Sequence, residues 1–263
     1  MKLRTLFSRG KSVEKETIVP DVSPERDRIL EYIPTKSRAL QLLIDVGTPV
    51  EAVIDVGVQF NTQQLIDYFG DKPHILCEPI VEYHEAIRHH YTSSGVEFDI
   101  EASAMSNMDG TVELELSSVI DGLDVSHARM ASGDNLSGLQ RRTVACKRVD
   151  TMVQERNLSG PFLLKIDVDG AEPLVLEGAK DTLPNCSAVI IEAETRNLFE
   201  RAAPIIAAGF QLFEIVDFCY YDKRLSQVDL VFANPRFFEP WGLLVVKEEF
   251  DFANWVELAP PSG

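Results

Sequence analysis

Short apolar runs alternate with longer stretches of helical spacing along most of this chain. The runs fall at 52–57 (AVIDVG), 74–79 (HILCEP), 96–100, 143–148, 162–166 (FLLKI) and 187–193 (SAVIIEA), each the length of one buried strand. Helical patterns occupy 62–68, 81–91, 150–156 and 197–209. Pro173 opens another, with Leu174, Leu176 and Ala179 on its apolar side. Upstream, Ala39, Leu42, Leu43 and Val46 mark a helix over 36–46 that Gly47 stops, and Ser23 and Pro24 begin a shorter one that Pro34 ends. Strand followed by helix, five times over, predicts an α/β fold: a mostly parallel sheet with helices on both faces and right-handed crossovers. Residues 211–218 and 228–233 read as a closing antiparallel pair.

Two segments break the alternation. Asp109-Gly110 is a hairpin signal, expected to fold 111–116 back on the turn at 101–107. Residues 117–140 are rich in Ser, Gly, Asp and Asn without a period, which predicts a lid or binding loop. The expected organisation is an arm with helices packing on the core (1–48), one α/β domain (49–235) and a C-terminal extension apolar enough to dock (236–263).

Composition narrows the class. At 263 residues, 45% hydrophobic and 25% charged, the chain has the makeup of a soluble globular domain. A net charge of −17 disfavours nucleic acid and anionic membranes as partners. Arg141-Arg142 and Lys147-Arg148 are the nearest approach to a basic patch and read as a solvated strand edge. Cys77, Cys146, Cys186 and Cys219 are widely spaced, which suits reduced thiols better than disulfides or zinc. No apolar run is long enough for a membrane span, and the N-terminus lacks the apolar core of a secretory signal, so a cytoplasmic location is expected. Nothing in the pattern sets an oligomeric state.

The candidate chemistry collects at strand ends. LLKIDVDGAEP places Lys165, Asp167, Asp169 and Glu172 where a strand gives way to a helix, and Lys165 and Asp167 project to one face. The first strand ends in Asp55-Val-Gly57, and the next ends in Glu78, 23 positions after Asp55. This is the logic of a nucleoside site, in which the Gly admits ligand to the backbone and the acid accepts ribose hydroxyls. The turn has one Gly where a dinucleotide site wants three. A cofactor with a ribose and no phosphate fits better, and S-adenosylmethionine is the obvious one.

VIDVG, LCEP, ASAMSNMDGTVEL, KRVDTMV, LLKIDVDGAEPLVLEGA and VIIEAE occur in order over roughly 50–235, and together they resemble the FkbM family of S-adenosylmethionine-dependent methyltransferases. The resemblance implies a Rossmann-like class I methyltransferase fold of seven strands, the last antiparallel. It also implies O-methylation of a sugar, glycan or secondary metabolite. Asp55, Gly57 and Gln59 then lie at the methionine moiety, Glu78 on the ribose, and Ser103 and Ala104 beside the adenine. Lys165 and Asp167 lie at the active-site rim, next to Glu192. The family's first motif continues Gly-Ala-Asn-x-Gly, where this chain has Gly57-Val58-Gln59-Phe60-Asn61. Asn61 is expected to supply a left-handed turn, and Val58 to narrow the site.

Asp167 is the first candidate for the base, or for orienting the acceptor, with Lys165 stabilising the developing alkoxide. His127, in the unpatterned loop, is a second candidate. His84, His89 and His90 share one helix and read as surface residues, and Glu172 as a first-turn helix acid. Asp167, Asp169 and Glu192 together offer oxygens for Mg²⁺, but acidic strand ends without metal are common in such folds, so no metal site is assigned. The competing readings are an N- or C-methyltransferase of a peptide or natural product, and a non-catalytic scaffold with a degenerate turn at Val58–Asn61.

Overall fold

The computed structural model describes residues 32–118, 125, 127–131 and 139–238. The helix expected from Pro24 and the C-terminal extension after residue 238 lie outside them. From Pro34 onward the described chain forms one compact unit. Helix α1 (Lys36–Asp45) leads into β1 (Ala52–Val56), α2 (Gln63–Phe69), β2 (His74–Cys77), α3 (His84–Ser93) and β3 (Phe98–Glu101). After strands β4 (Ala104–Met105), β5 (Gly110–Ser117), β6 (His127–Met130) and β7 (Gln140–Lys147), the alternation resumes. It continues with α4 (Val149–Glu155), β8 (Phe162–Ile166), α5 (Glu172–Glu177), β9 (Cys186–Glu194) and α6 (Leu198–Ala207), then β10 (Gln211–Tyr221) and β11 (Arg224–Ala233).

Seven strands form the main sheet in the order β10-β11-β9-β8-β1-β2-β3. All run parallel except β11, which is antiparallel to both neighbours. Successive residues of its central strands enter different cores, as a strand buried on both faces requires. Ile54, Leu164 and Ile191 face Met152, Leu176 and Ile205 on the α4–α6 side. Val53, Leu163 and Ile190 face Leu40, Leu43, Leu65 and Phe69 on the other. Helix α1 is therefore part of the wall of the sheet, through Ala39, Leu40 and Leu43. Thr35 caps it by accepting from the Arg38 amide.

The segment 101–147 corrects two expectations. Asp109-Gly110 does not fold β5 back on the preceding turn. Strand β5 instead pairs antiparallel with β7, from Gly110 opposite Cys146 to Leu116 opposite Gln140, and on its other side with β6. With β4 added, these make a separate four-stranded sheet. Asp109 clasps its open end by accepting from the Arg148 amide and the Thr151 hydroxyl. His127, expected in a loop, lies in β6 opposite Ser117. Alternating Leu114 and Leu116 bury that sheet's inner face against Leu76, Ile87 and Tyr91. The basic doublets in and just after β7 are paired off, Arg141 with Glu115, Arg142 with Glu82, Lys147 with Glu101 and Arg148 with Asp109.

Candidate active site

The strand order reverses between β1 and β8, and the carboxyl edge at such a reversal is where ligands enter an open α/β sheet. Three strand ends are stitched together there. The Gly57 amide donates to the Cys77 carbonyl and the Asp167 amide to the Val56 carbonyl, both at 3.0 Å. Gly57 has φ of +85°, and a Cβ on it would lie 1.8 Å from the Asp167 carbonyl oxygen. Only glycine lets β1 and β8 meet this closely.

Beyond β2, the Glu78 carboxylate is buried and accepts from the Gln59 amide at 2.9 Å and the Ile80 amide at 2.8 Å. Burial outweighs those two donors and pushes Glu78 up to about 7. The left-handed residue of the turn is Gln59, with φ of +55°, and not Asn61. Val58 is buried among Ile66, Leu76 and Ile80, so part of its bulk goes to packing. His84 is buried too, its Nε2 2.8 Å from the Glu78 carbonyl oxygen, which corrects its reading as a surface residue.

On the other side of the reversal, Lys165 is almost wholly buried. Its Nζ lies 3.1 Å from Asp55, 3.4 Å from Asp167 and 3.2 Å from the Gly57 carbonyl oxygen, to which it donates. Burial lowers its pKa, but Asp55 and then Asp167 overcome this and hold the ammonium well above its usual range. Burial is the largest influence on Asp167 and raises it, but the charges of Lys165 and Lys36 and hydrogen bonds with Glu192 and Lys165 together outweigh it and hold the carboxyl below its usual range. Glu192, one strand over, accepts from the Gln227 amide and shares a hydrogen bond with Asp167. Burial, and after it the charge of Asp167, pushes Glu192 up to about 8. Glu172 is a brace: its carboxylate accepts from the Val168 and Gly170 amides and pairs with buried Arg201 at 2.7 Å.

These groups border a cavity of about 430 Å³, within the range of small-molecule sites. Gly57, Gln59, Glu78, Ala104, Lys165 and Asp167 all line it. Two expected residues do not. Asp55 is sealed beneath Lys165 and fixes that side chain. Ser103 turns away and donates to Glu101 at 2.7 Å. The side chain of His127 lies outside the described residues. Ile80, Tyr83 and Met105 line the cavity as well and give it an apolar side. The sequence does not single them out, because an apolar residue near a strand end looks like core. Among the described residues no three His, Cys, Asp or Glu are grouped to hold a metal ion.

A second, polar cavity of about 720 Å³ adjoins the first; Arg129, Glu194, Asn197, Glu200 and Gln227 are among its walls. Asp169 and Glu192 line both cavities. A buried acceptor for vicinal hydroxyls, an apolar flank and an adjoining polar cleft are what a ribose-bearing cofactor and a polar second substrate require.

The FkbM methyltransferase domain matches residues 45–224 of the chain. Similar solved structures include an rRNA methylase from Streptococcus thermophilus (7% identity, 74% of this chain and 93% of that one, TM-score 0.44). A fibrillarin pre-rRNA processing protein from Methanococcus jannaschii (9%, 72% and 67%, 0.41) is another. A third is M. capricolum TrmK with S-adenosylhomocysteine, its natural cofactor product (13%, 86% and 72%, 0.40). Likeness this weak says nothing of the substrate. No curated protein matches. The domain match covers more than half of the chain, and the sheet with its single antiparallel strand is the Rossmann-like class I fold; the chain belongs to the FkbM family of S-adenosylmethionine-dependent methyltransferases.

Proposed function

We propose that this enzyme methylates a hydroxyl oxygen of a small polyhydroxylated acceptor, a sugar, glycan or secondary metabolite. The observation that carries this is the polar cleft beside the cofactor cavity, whose walls offer amides, carboxylates and guanidinium groups suited to binding several hydroxyls. The acidic chain, with its strand-edge cations already paired, is poorly matched to a nucleic-acid acceptor.

In this reading Glu78 accepts the ribose hydroxyls, Ala104 borders the adenine, and the Gly57–Gln59 turn holds the methionine moiety. Bound S-adenosylmethionine supplies an electrophilic methyl carbon, whose bond to sulfur breaks with the electron pair kept by sulfur as the acceptor oxygen bonds to carbon. Lys165 fixes Asp167, and Asp167, held ionised, is a weak base suited to orienting the acceptor hydroxyl.

The test is methyl transfer from isotopically labelled S-adenosylmethionine to methyl glycosides and polyols, set against amine and peptide acceptors. Label in an ether product supports the reading. Label only on nitrogen or carbon overturns it.

A further inference from the structure

We propose that Glu192, in the wall common to both cavities, takes the proton that the acceptor hydroxyl gives up, while Asp167 remains ionised and positions the acceptor. This rests on the methyl-transfer reading above. Asp169 also borders both cavities, but it is exposed on the turn after β8, whereas Glu192 is half-buried within β9, beside Asp167 and Gln227.

The charged groups around Glu192 explain why it is the carboxyl that keeps a proton. Lys165 and Asp167 face it from β8, Asp229 and Gln227 from β11, Glu172 from α5, Arg201 from α6 and Lys36 from α1. Each cation is already committed. Lys165 pairs with Asp55 and Asp167, Lys36 with Asp229 and Asp217, and Arg201 with Glu172. Arg201 reaches Glu192 only through its backbone carbonyl, at 3.0 Å. Two carboxyls side by side, with a cation nearer to one, share a single proton, and Glu192 holds it. A group that titrates near neutrality is suited to general acid–base work. The step starts from ionised Glu192, whose proton passes to solvent when a cationic sulfonium binds beside it. The acceptor then loses its proton to the Glu192 carboxylate, and the positive charge lost at sulfur matches the negative charge lost at Glu192.

Sinefungin carries an ammonium-bearing carbon where S-adenosylmethionine has its methyl sulfonium, so it probes this wall without any acceptor. Both sinefungin and S-adenosylhomocysteine are titrated calorimetrically at about pH 7.5 in buffers of different ionisation heat. Wild type is expected to bind sinefungin roughly tenfold more tightly, because a charge-assisted bond to Glu192 forms only with the ammonium. Sinefungin should also release up to about one more proton than S-adenosylhomocysteine, since the ammonium favours ionised Glu192. Protons released by Glu78 are common to both ligands and cancel. Glu192→Gln should lose the preference and the extra proton, with S-adenosylhomocysteine affinity changed by no more than about threefold. Asp167→Asn should keep the preference and lose the extra proton, because Glu192 is then already ionised. The same preference and proton count in wild type and Glu192→Gln overturn the assignment. Failure of folded wild type to bind S-adenosylhomocysteine overturns the cofactor cavity itself, a separate result.

Discussion

Glu78 follows β2 and Glu192 lies near the end of β9, and burial raises both, to about 7 and about 8. Their surroundings differ. Glu78 accepts two backbone amides, from Gln59 and Ile80, so its negative form is solvated by fixed dipoles. Glu192 lies beside a second carboxylate, Asp167, and hydrogen-bonds to it and to one side-chain amide. The first arrangement makes a rigid acceptor for hydroxyls, and the second makes a place to keep a proton. Burial thus raises two acids that serve different chemistries, and the neighbours decide which.

That contrast depends on the strand ends being held together, and it breaks most completely at Gly57. Gly57→Ala brings a methyl group into the Asp167 backbone at a positive φ. Urea denaturation is expected to show a loss on the order of 4 kcal/mol or more. A loss below about 1 kcal/mol would mean that β1 and β8 part there at little cost. Next comes Lys165→Met, which leaves the sealed Asp55 carboxylate without its cation and should cost about 3–5 kcal/mol near neutral pH. Adding Asp55→Asn should recover much of that loss. No recovery in the double variant would show that Lys165 acts by packing alone.

Stability against pH sharpens the comparison. Both acids have a folded pKa above the ordinary 4.5, so the stability each contributes is complete below about 4.5. It is lost as pH rises, through about 7 for Glu78 and about 8 for Glu192. Relative to wild type, Glu78→Gln should flatten the decline between pH 4.5 and about 7, and Glu192→Gln between pH 4.5 and about 8. Glu192→Gln should flatten it by roughly 1 kcal/mol more, over the final unit. Identical curves for the two variants would erase the distinction between the sites.

Much of this arrangement is legible in the sequence, because the seven-stranded sheet is written in local patterns. Doublets such as Val53-Ile54 and Ile190-Ile191 mark strands buried on both faces, and the acids at strand ends stand out against them. The four-stranded sheet is not legible. The partner of β5 lies some thirty residues downstream in β7, and a Gly after an Asp at a strand's start looks the same whether the chain doubles back at once or later. Side-chain direction is equally hidden. Asp55 and Glu78 both sit at strand ends, yet one is sealed under Lys165 and the other borders the cavity. Ser103 and Ala104 are adjacent, yet only Ala104 faces the cavity. Alternation along the chain predicts such splits without saying which residue falls on which side.

The most direct measurement is calorimetric titration of S-adenosylhomocysteine into wild type and Glu78→Gln between about pH 6 and about pH 8.5. If ionised Glu78 accepts the ribose hydroxyls, wild-type affinity tightens as pH rises through about 7. Glu78→Gln should then bind about tenfold more weakly at the upper end, with no such pH dependence. Equal affinity and equal pH dependence in the two proteins, or no binding by folded wild type, would contradict it.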